Sequence, residues 1–295
     1  MADYLVRAIG AEGNVRAFAA VTTALVDEAR RRHDTWPTAT AALGRALTAT
    51  ALLGATLKDP DESITLRVAG DGPLQGIICD ADEQGQVRGY VNQPHVDLDR
   101  TSQGKLNVGG AVGSGMLHVT RQLALQGIYT GSAELVSGEI GEDLAYYLTR
   151  SEQTPSAVGL GVRVDPDGSV VAAGGYMLQL LPATPDADRD RLEENLAKLG
   201  SVSLAVERGM TPEEILAAVL EGIDYEVLER RDLHFACRCS RERALGAIAL
   251  LDDADLAALV EEDHGAELTC HFCNEVYRFT EEEIRAVRKG MAAQQ

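Results

Sequence analysis

Two short cysteine pairs in the last quarter of the chain constrain its fold more than any other feature. The first pair is Cys237-Arg238-Cys239 and the second is Cys270-His271-Phe272-Cys273. Each pair holds two thiols close together through local backbone alone, and two such pairs supply the four sulfur ligands of a tetrahedral zinc site. We therefore predict that these four of the chain's five cysteines bind one zinc ion.

Paired cysteines also occur in permanent disulfides and in dithiol enzymes. A thioredoxin-type Cys-x-x-Cys opens a helix after a strand of a βαβ unit. Here the second pair stands between the alternating segments 267–269 and 275–279, which predict a β-hairpin with the cysteines at its turn. That context favours a zinc knuckle over both alternatives. His234, His264 and His271 are competing ligands, but a closed structural site needs only four donors.

The charge distribution argues against a nucleic-acid partner. The formal net charge is -19, and residues 183–295 carry 25 acidic and 13 basic side chains, a net of -12. A surface of that sign repels phosphate backbones. No apolar run reaches the ~18 residues of a membrane helix, and Met1-Ala2-Asp3 does not begin a signal peptide. We expect a cytoplasmic protein without a membrane partner, in a compartment that keeps thiols reduced and available to metal.

Residues 1–181 predict an N-terminal α+β domain with a largely antiparallel sheet and packed helices. Period-two patterns separated by glycine-rich turns predict hairpin-connected strands, and 3.6-residue periodicity predicts the helices. The predicted strands cover residues 3–9, 15–21, 64–68, 74–80, 87–91, 116–120, 128–135, 158–164 and 170–180. The predicted helices begin at Thr22 or Thr23 and run through residue 32, and cover 38–58 and 139–150.

This domain shows no catalytic constellation. The glycine-rich segment 109–115 lacks the Gly-Lys-Ser/Thr ending of a phosphate-binding loop and leads into a strand rather than a helix. His33, His95 and His118 are isolated from candidate nucleophiles, and Cys79 lies in an apolar strand, where a free thiol behaves as a small hydrophobe. We therefore do not expect an enzyme.

Residues 182–231 predict a helical linker. Two prolines mark its start, Gly200 and Gly209 interrupt it, and Thr211 with Glu214 forms a capping box. Helices this short are marginal alone and persist only if their apolar side chains dock elsewhere. We call these side chains the linker stripe: Leu192, Leu196, Leu199, Ile215, Leu216, Val219 and Leu220.

Residues 232–295 predict a small C-terminal α+β domain. Ser240 is placed to cap one helix, and Thr280 with Glu283 forms a second capping box after the cysteine hairpin. A unit of this size has a small core and commonly needs a cross-link, for which zinc is the evident candidate.

With this arrangement of cysteine pairs, linker and α+β domain, the chain resembles the heat shock protein 33 family of redox-regulated chaperones. The most specific similarity is Cys-x-Cys followed by Ser240-Arg241-Glu242-Arg243 and, after a thirty-residue gap, Cys-x-x-Cys. Further similar segments lie along the whole chain and include Gly13-Asn14-Val15-Arg16-Ala17, Gly70-Asp71-Gly72-Pro73-Leu74 and Tyr147 with Ser151-Glu152-Gln153.

The resemblance implies an ATP-independent holdase that binds unfolded or partly folded client proteins under oxidative stress. It implies that oxidation pairs Cys237 with Cys239 and Cys270 with Cys273, releases zinc, and converts a monomer to an active homodimer. Because zinc binding contributes about 10–16 kcal/mol and a domain is stable by only about 5–15 kcal/mol, metal loss should unfold the terminal domain. We hypothesise that the linker stripe then loses support, and that it both covers and contributes to the client-binding surface.

Two other functions remain as alternatives. In one, the protein is an enzyme whose zinc only stabilises a tail. In the other, it is a static zinc-dependent interaction module, which oxidant would not activate.

Overall fold

The computed structural model describes residues 2–124, 127–262 and 264–292, and the chain divides into two compact units, 1–236 and 237–295. The predicted α+β class with mainly antiparallel sheets is confirmed. The division into a core domain 1–181, a linker 182–231 and a terminal domain 232–295 stays a prediction. Within the described residues, no helix combines the length and apolar character needed to cross a bilayer.

The first unit contains two sheets and seven α-helices among its described residues. Its strands are β1 (Tyr4–Gly10), β2 (Val15–Val21), β3 (Ser63–Gly70), β4 (Ile77–Asp82), β5 (Gln86–Val91), β6 (Gly115–Leu123), β7 (Gly127–Glu134), β8 (Ser156–Val164), β9 (Val170–Leu180), β10 (Tyr225–Asp232) and β11 (His234–Phe235). Its helices are α1 (Thr23–His33), α2 (Pro37–Gly54), α3 (Val108–Val112), α4 (Gly141–Arg150), α5 (Asp186–Leu199), α6 (Val202–Glu207) and α7 (Pro212–Val219).

The five-stranded sheet has the order β10-β1-β2-β9-β8, and the six-stranded sheet has the order β11-β5-β4-β3-β6-β7. Every neighbouring pair is antiparallel except β11 with β5. Short connections explain the antiparallel pairs of consecutive strands, whereas β1 with β10, β2 with β9 and β3 with β6 pair across long connections. The predicted meander of β3, β4 and β5 is confirmed.

Helix α2 lies in the main core and contacts both sheets. Its many alanine, threonine and glycine residues allow this close approach: a Cβ atom added at Gly44 would lie 2.5 Å from Val26 Cγ1 and 2.9 Å from Val162 Cγ2. The buried hydroxyl of Thr48 bonds to the Gly44 carbonyl and to Thr22 Oγ1, so the helix buries these polar groups with partners. The helix ends at Gly54, four residues earlier than Lys58, where we expected its end.

The opposite face of the five-stranded sheet is covered by helices α5, α6 and α7. These helices and strands β1, β2 and β9 share a second hydrophobic core. Because an amphipathic helix of 6 to 14 residues is marginal in water, this docking is what keeps the three helices folded. The predicted capping box is present, with Glu214 N donating to Thr211 Oγ1 and Thr211 N donating to the Glu214 carboxylate.

Three elements of the first unit were not expected. The short helix α3 lies within the glycine-rich region, and β11 adds a parallel edge strand. The third is strand β10: the segment 182–231 is not helical throughout, because residues 225–232 pair with β1. The physical reason is that β1 offers an open edge to the returning chain, and satisfying its backbone groups outweighs a weak local pattern.

The second unit is a hairpin with three helices among its described residues. Its elements are α8 (Arg241–Ile248), α9 (Asp253–Glu261), β12 (Gly265–Thr269), β13 (Val276–Thr280) and α10 (Glu281–Ala292). Among the residues whose side chains are described, its core contains six buried ones, Ala244, Ile248, Leu256, Val260, Phe279 and Ile284. So small a core supports the expectation that the unit needs an additional cross-link.

Candidate metal centre

The second cysteine pair lies in the turn between β12 and β13, as predicted. Cys270 N donates to Glu275 O at 2.9 Å, and Asn274 N donates to Cys270 O at 2.7 Å, which closes a tight turn. Asn274 has a φ of 60°, a left-handed conformation that asparagine tolerates better than most residues. The backbone N–H groups of Phe272 and Cys273 point at the Cys270 sulfur, and that of Glu275 points at the Cys273 sulfur.

The first cysteine pair immediately precedes helix α8. Ser240 Oγ accepts a bond from Arg243 N at 3.2 Å, which confirms the predicted cap of this helix. The Arg243 guanidinium reaches back to the carbonyl oxygen of Arg238 at 2.7 Å. This bond contacts the residue between Cys237 and Cys239, whose sulfurs lie close to those of the hairpin cysteines.

The four sulfurs converge on one point. Cys239 Sγ lies 3.3 Å from Cys273 Sγ, Cys237 Sγ lies 3.7 Å from Cys270 Sγ, and all four sulfurs lie within 4.8 Å of one another. Zinc–sulfur bonds of ~2.3 Å place tetrahedral sulfurs about 3.8 Å apart. The cluster therefore has the dimensions of a four-thiolate zinc site, and the residues fit the metal that the sequence predicts.

Burial makes this cluster unfavourable for negative charge without a cation. Desolvation raises the pKa of Cys270 and raises the pKa of Cys273 strongly, and the neighbouring thiols raise the second further. A divalent cation at the centre reverses this effect, because thiolates bound to it are stabilised by its charge. Four soft donors at tetrahedral spacing favour zinc over the hard cations, which prefer oxygen ligands.

The histidines considered as competing ligands are not part of this cluster. Among the described residues, the group of potential ligands at this centre consists of the four cysteines alone. His264 Nδ1 instead lies 3.0 Å from a carboxylate oxygen of Glu281.

One contributor to the centre was missed in the sequence. The hydroxyl of Tyr277 donates a hydrogen bond to Cys239 Sγ at 3.2 Å. This bond raises the pKa of Tyr277 because the sulfur stabilises the protonated phenol. A tyrosine four residues after the second pair is the only sequence signal, and it does not reveal which sulfur the hydroxyl contacts.

The linker stripe lies in the first unit. Leu192, Ile215, Leu216, Val219 and Leu220 are buried against the five-stranded sheet, each with at most 3% of its surface exposed. The other two leucines of the stripe, at positions 196 and 199, are half-buried at the edge of the same core. The structure therefore brings the whole stripe together on one surface, and it is covered in this state.

Comparisons with known proteins identify the family. The family model described as Hsp33 protein matches residues 3–280. The chain belongs to the Hsp33 family. It is 82% identical over 295 residues to a 33 kDa chaperonin of Symbiobacterium thermophilum, with both chains fully covered. It is 48% identical over 287 residues to a 33 kDa chaperonin of Bacillus subtilis, covering 97% of this chain and 98% of the relative.

A solved structure has the same fold. The crystal structure of the 33 kDa chaperonin, a heat shock protein 33 homologue, from Thermotoga maritima superposes with a TM-score of 0.92 at 34% identity. The match covers 99% of this chain and 100% of that one. Membership in the Hsp33 family confirms the predicted function class: this is a redox-regulated holdase chaperone with a zinc-site cysteine cluster, and the family is not one of enzymes.

Proposed function

We propose that Cys237, Cys239, Cys270 and Cys273 act together as the zinc ligands and the redox sensor of this chaperone. The convergence of their four sulfurs within 4.8 Å is the observation that carries the proposal. When bound, zinc cross-links the two cysteine pairs and so replaces the large core that the second unit lacks. Its loss would remove ~10–16 kcal/mol from a unit whose hydrophobic cluster contains six buried side chains among the residues that the structure describes.

Oxidation would act on the cysteine sulfurs and not on zinc itself, because sulfurs joined in disulfides no longer serve as thiolate ligands. We propose that it joins Cys237 to Cys239 and Cys270 to Cys273. The distances do not choose between this pairing and others, because the close sulfur contacts of Cys239 with Cys273 and of Cys237 with Cys270 run between the pairs. What supports the proposal is the backbone: Cys270 and Cys273 share one turn, and a single residue separates Cys237 from Cys239.

The linker stripe is the proposed client-binding surface. It consists of Leu192, Leu196, Leu199, Ile215, Leu216, Val219 and Leu220, and it faces the apolar side chains of β1, β2 and β9. Undocking of helices α5 to α7 would expose both surfaces at once, and contiguous apolar patches of that kind bind other proteins. Because the linker stripe is buried in the folded state, the reduced protein would not bind clients.

The remaining proposals concern organisation and environment. We propose that residues 1–181 form the stable core, 182–231 the part that opens, and 232–295 the redox switch. We also propose a monomer when reduced, a homodimer when oxidised, and a location in the cytoplasm, where thiols rest in the reduced state. Clients would be unfolded or partly folded proteins, and a net charge of -19 argues against nucleic acid.

A combined assay tests the proposal. Peroxide is added to the reduced, zinc-loaded protein, zinc release is followed with a chromogenic chelator, and light scattering follows the aggregation of a heat-unfolded client. We expect zinc release to precede suppression of aggregation. A Cys79→Ala variant is the matched control, because this fifth cysteine is fully buried in strand β4 and should leave both signals unchanged. A static zinc module would keep its metal or release it without suppressing aggregation.

A further inference from the structure

Three sulfurs of the metal centre, those of Cys239, Cys270 and Cys273, receive hydrogen bonds from two different kinds of donor. Backbone N–H groups of the turn between β12 and β13 donate hydrogen bonds to the sulfurs of Cys270 and Cys273. Those donors belong to the turn itself, so no side-chain substitution removes them directly. Cys239 instead accepts a bond from the side-chain hydroxyl of Tyr277 at 3.2 Å. The environment of this one sulfur therefore depends on the identity of residue 277.

We infer that Tyr277 is a positioning residue that protects the Cys239 sulfur from oxidants and helps it keep the metal. This inference deepens the proposed function and rests on it. A hydrogen bond to a thiolate draws electron density away from the sulfur lone pair, and bonds to charged acceptors are stronger than those between neutral groups. The sulfur becomes a poorer nucleophile while it remains a competent ligand, as outer hydrogen bonds do for other metal ligands.

The position of the hydroxyl is set by the fold of the second unit. Tyr277 lies on β13 opposite Leu268 on β12, and its ring packs at the edge of the small core. The ring is therefore held in place by the hairpin that also carries the knuckle. Cys239 comes from the other side of the cluster, where its sulfur lies 3.3 Å from Cys273 Sγ. The bond thus connects the strand that follows the second cysteine pair to a sulfur of the first pair.

The chemistry that this bond would slow is the attack of sulfur on a peroxide. The sulfur lone pair of one thiolate attacks one peroxide oxygen, the O–O bond breaks, and hydroxide leaves, which gives a sulfenic acid on that cysteine. A second thiolate attacks the sulfenic sulfur and expels another hydroxide, which forms the S–S bond. Two thiolates are oxidised by two electrons in all, and hydrogen peroxide is reduced to two hydroxide ions. A weaker nucleophile at Cys239 slows the first step at that position.

The test compares Tyr277→Phe with the wild type. The substitution removes the hydroxyl and keeps the ring, so the hairpin should remain folded. With the full-length, zinc-loaded protein, we expect zinc release under hydrogen peroxide to be about tenfold faster or more, because a hydrogen bond to a charged group contributes about 1.5 kcal/mol or more and 1.4 kcal/mol is tenfold. Dimedone trapping followed by mass spectrometry should show the share of sulfenic acid at Cys239 rising against the other three cysteines.

Leu268→Ala is the matched control. It loosens packing beside the Tyr277 ring but leaves the hydroxyl in the protein. If Tyr277 acted only through packing, Tyr277→Phe would match the wild type because it keeps the ring, and Leu268→Ala would release zinc faster without shifting the label toward Cys239. The inference predicts a shift in Tyr277→Phe alone. It also predicts a changed cadmium NMR signal in cadmium-loaded Tyr277→Phe, because that signal responds to hydrogen bonding at the ligating sulfurs.

The outcomes separate this inference from the proposed function. A wild type that keeps its zinc under peroxide would overturn the proposed function itself. A wild type that releases zinc, with Tyr277→Phe matching it in rate, label distribution and cadmium signal, would overturn the inference about Tyr277 and leave the proposed function standing.

Discussion

Replacing Leu216 by alanine should activate the chaperone without any oxidant. The Leu216 side chain is fully buried between helix α7 and the five-stranded sheet. Truncation of such a leucine costs about 2.7–5 kcal/mol, since it removes apolar contacts and leaves a cavity. Because every 1.4 kcal/mol is tenfold, the ratio of undocked to docked linker should rise by roughly 100-fold to several thousand-fold.

Two measurements on the reduced, zinc-loaded variant check this expectation. Trypsin should cut faster at Arg191, Lys198 and Arg208, which lie on the linker helices or at their ends. Light scattering should show suppression of client aggregation while the zinc content stays at the wild-type value. Leu204→Ala is the control, because Leu204 lies on α6 but is 39% exposed and should change neither signal.

One result would refute the reasoning. If Leu216→Ala opened the linker to trypsin and still failed to bind an unfolding client, the surface beneath the linker would not be the binding surface. The linker stripe would then be a structural cover only.

Four further predictions concern other parts of the molecule. Cys273→Ser should abolish zinc binding and remove hydrogen-exchange protection from the second unit while the sheets of the first unit stay protected. Glu152→Ala removes the carboxylate that accepts three bonds from Arg121, and calorimetry should show a loss of about 1.5–3 kcal/mol. Thr211→Ala removes the cap of α7, costs ~1 kcal/mol, and should raise exchange in that helix less than Leu216→Ala does. The Cys79 thiol, whose pKa is raised by burial, should resist alkylation in the native protein and react on unfolding.

Local sequence patterns were sufficient to predict the structures whose interacting residues lie only a few positions apart in the chain. The capping boxes at Thr211 and Thr280 and the cap at Ser240 are present as predicted, because each depends on residues only three positions apart. The cysteine hairpin was likewise predictable from alternation on both sides of a turn. The metal site followed because each pair brings its own two sulfurs together before the fold forms.

Contacts across long separations were not predictable in the same way. Strand β10 is mostly exposed and rich in charged residues, and its partner β1 lies more than two hundred residues away in the chain. The Tyr277 bond to Cys239 arises only after both pairs have converged, so no spacing rule reveals it. Tyr277 and Cys239 are 38 residues apart, a separation at which no local sequence pattern predicts a contact. In each case tertiary structure, and not local preference, decides the contact.

The pairing of β10 with β1 has a consequence for reversal of the switch. The linker helices leave the five-stranded sheet at the end of β9 and return to it in β10, so both ends of the linker are anchored to the surface that it covers. A segment held in this way remains near its groove at a high effective concentration, of the millimolar order typical of short connections. A client must compete with this tethered segment for as long as it stays bound. Once the metal returns, recapture by the linker would displace the client without any external source of energy.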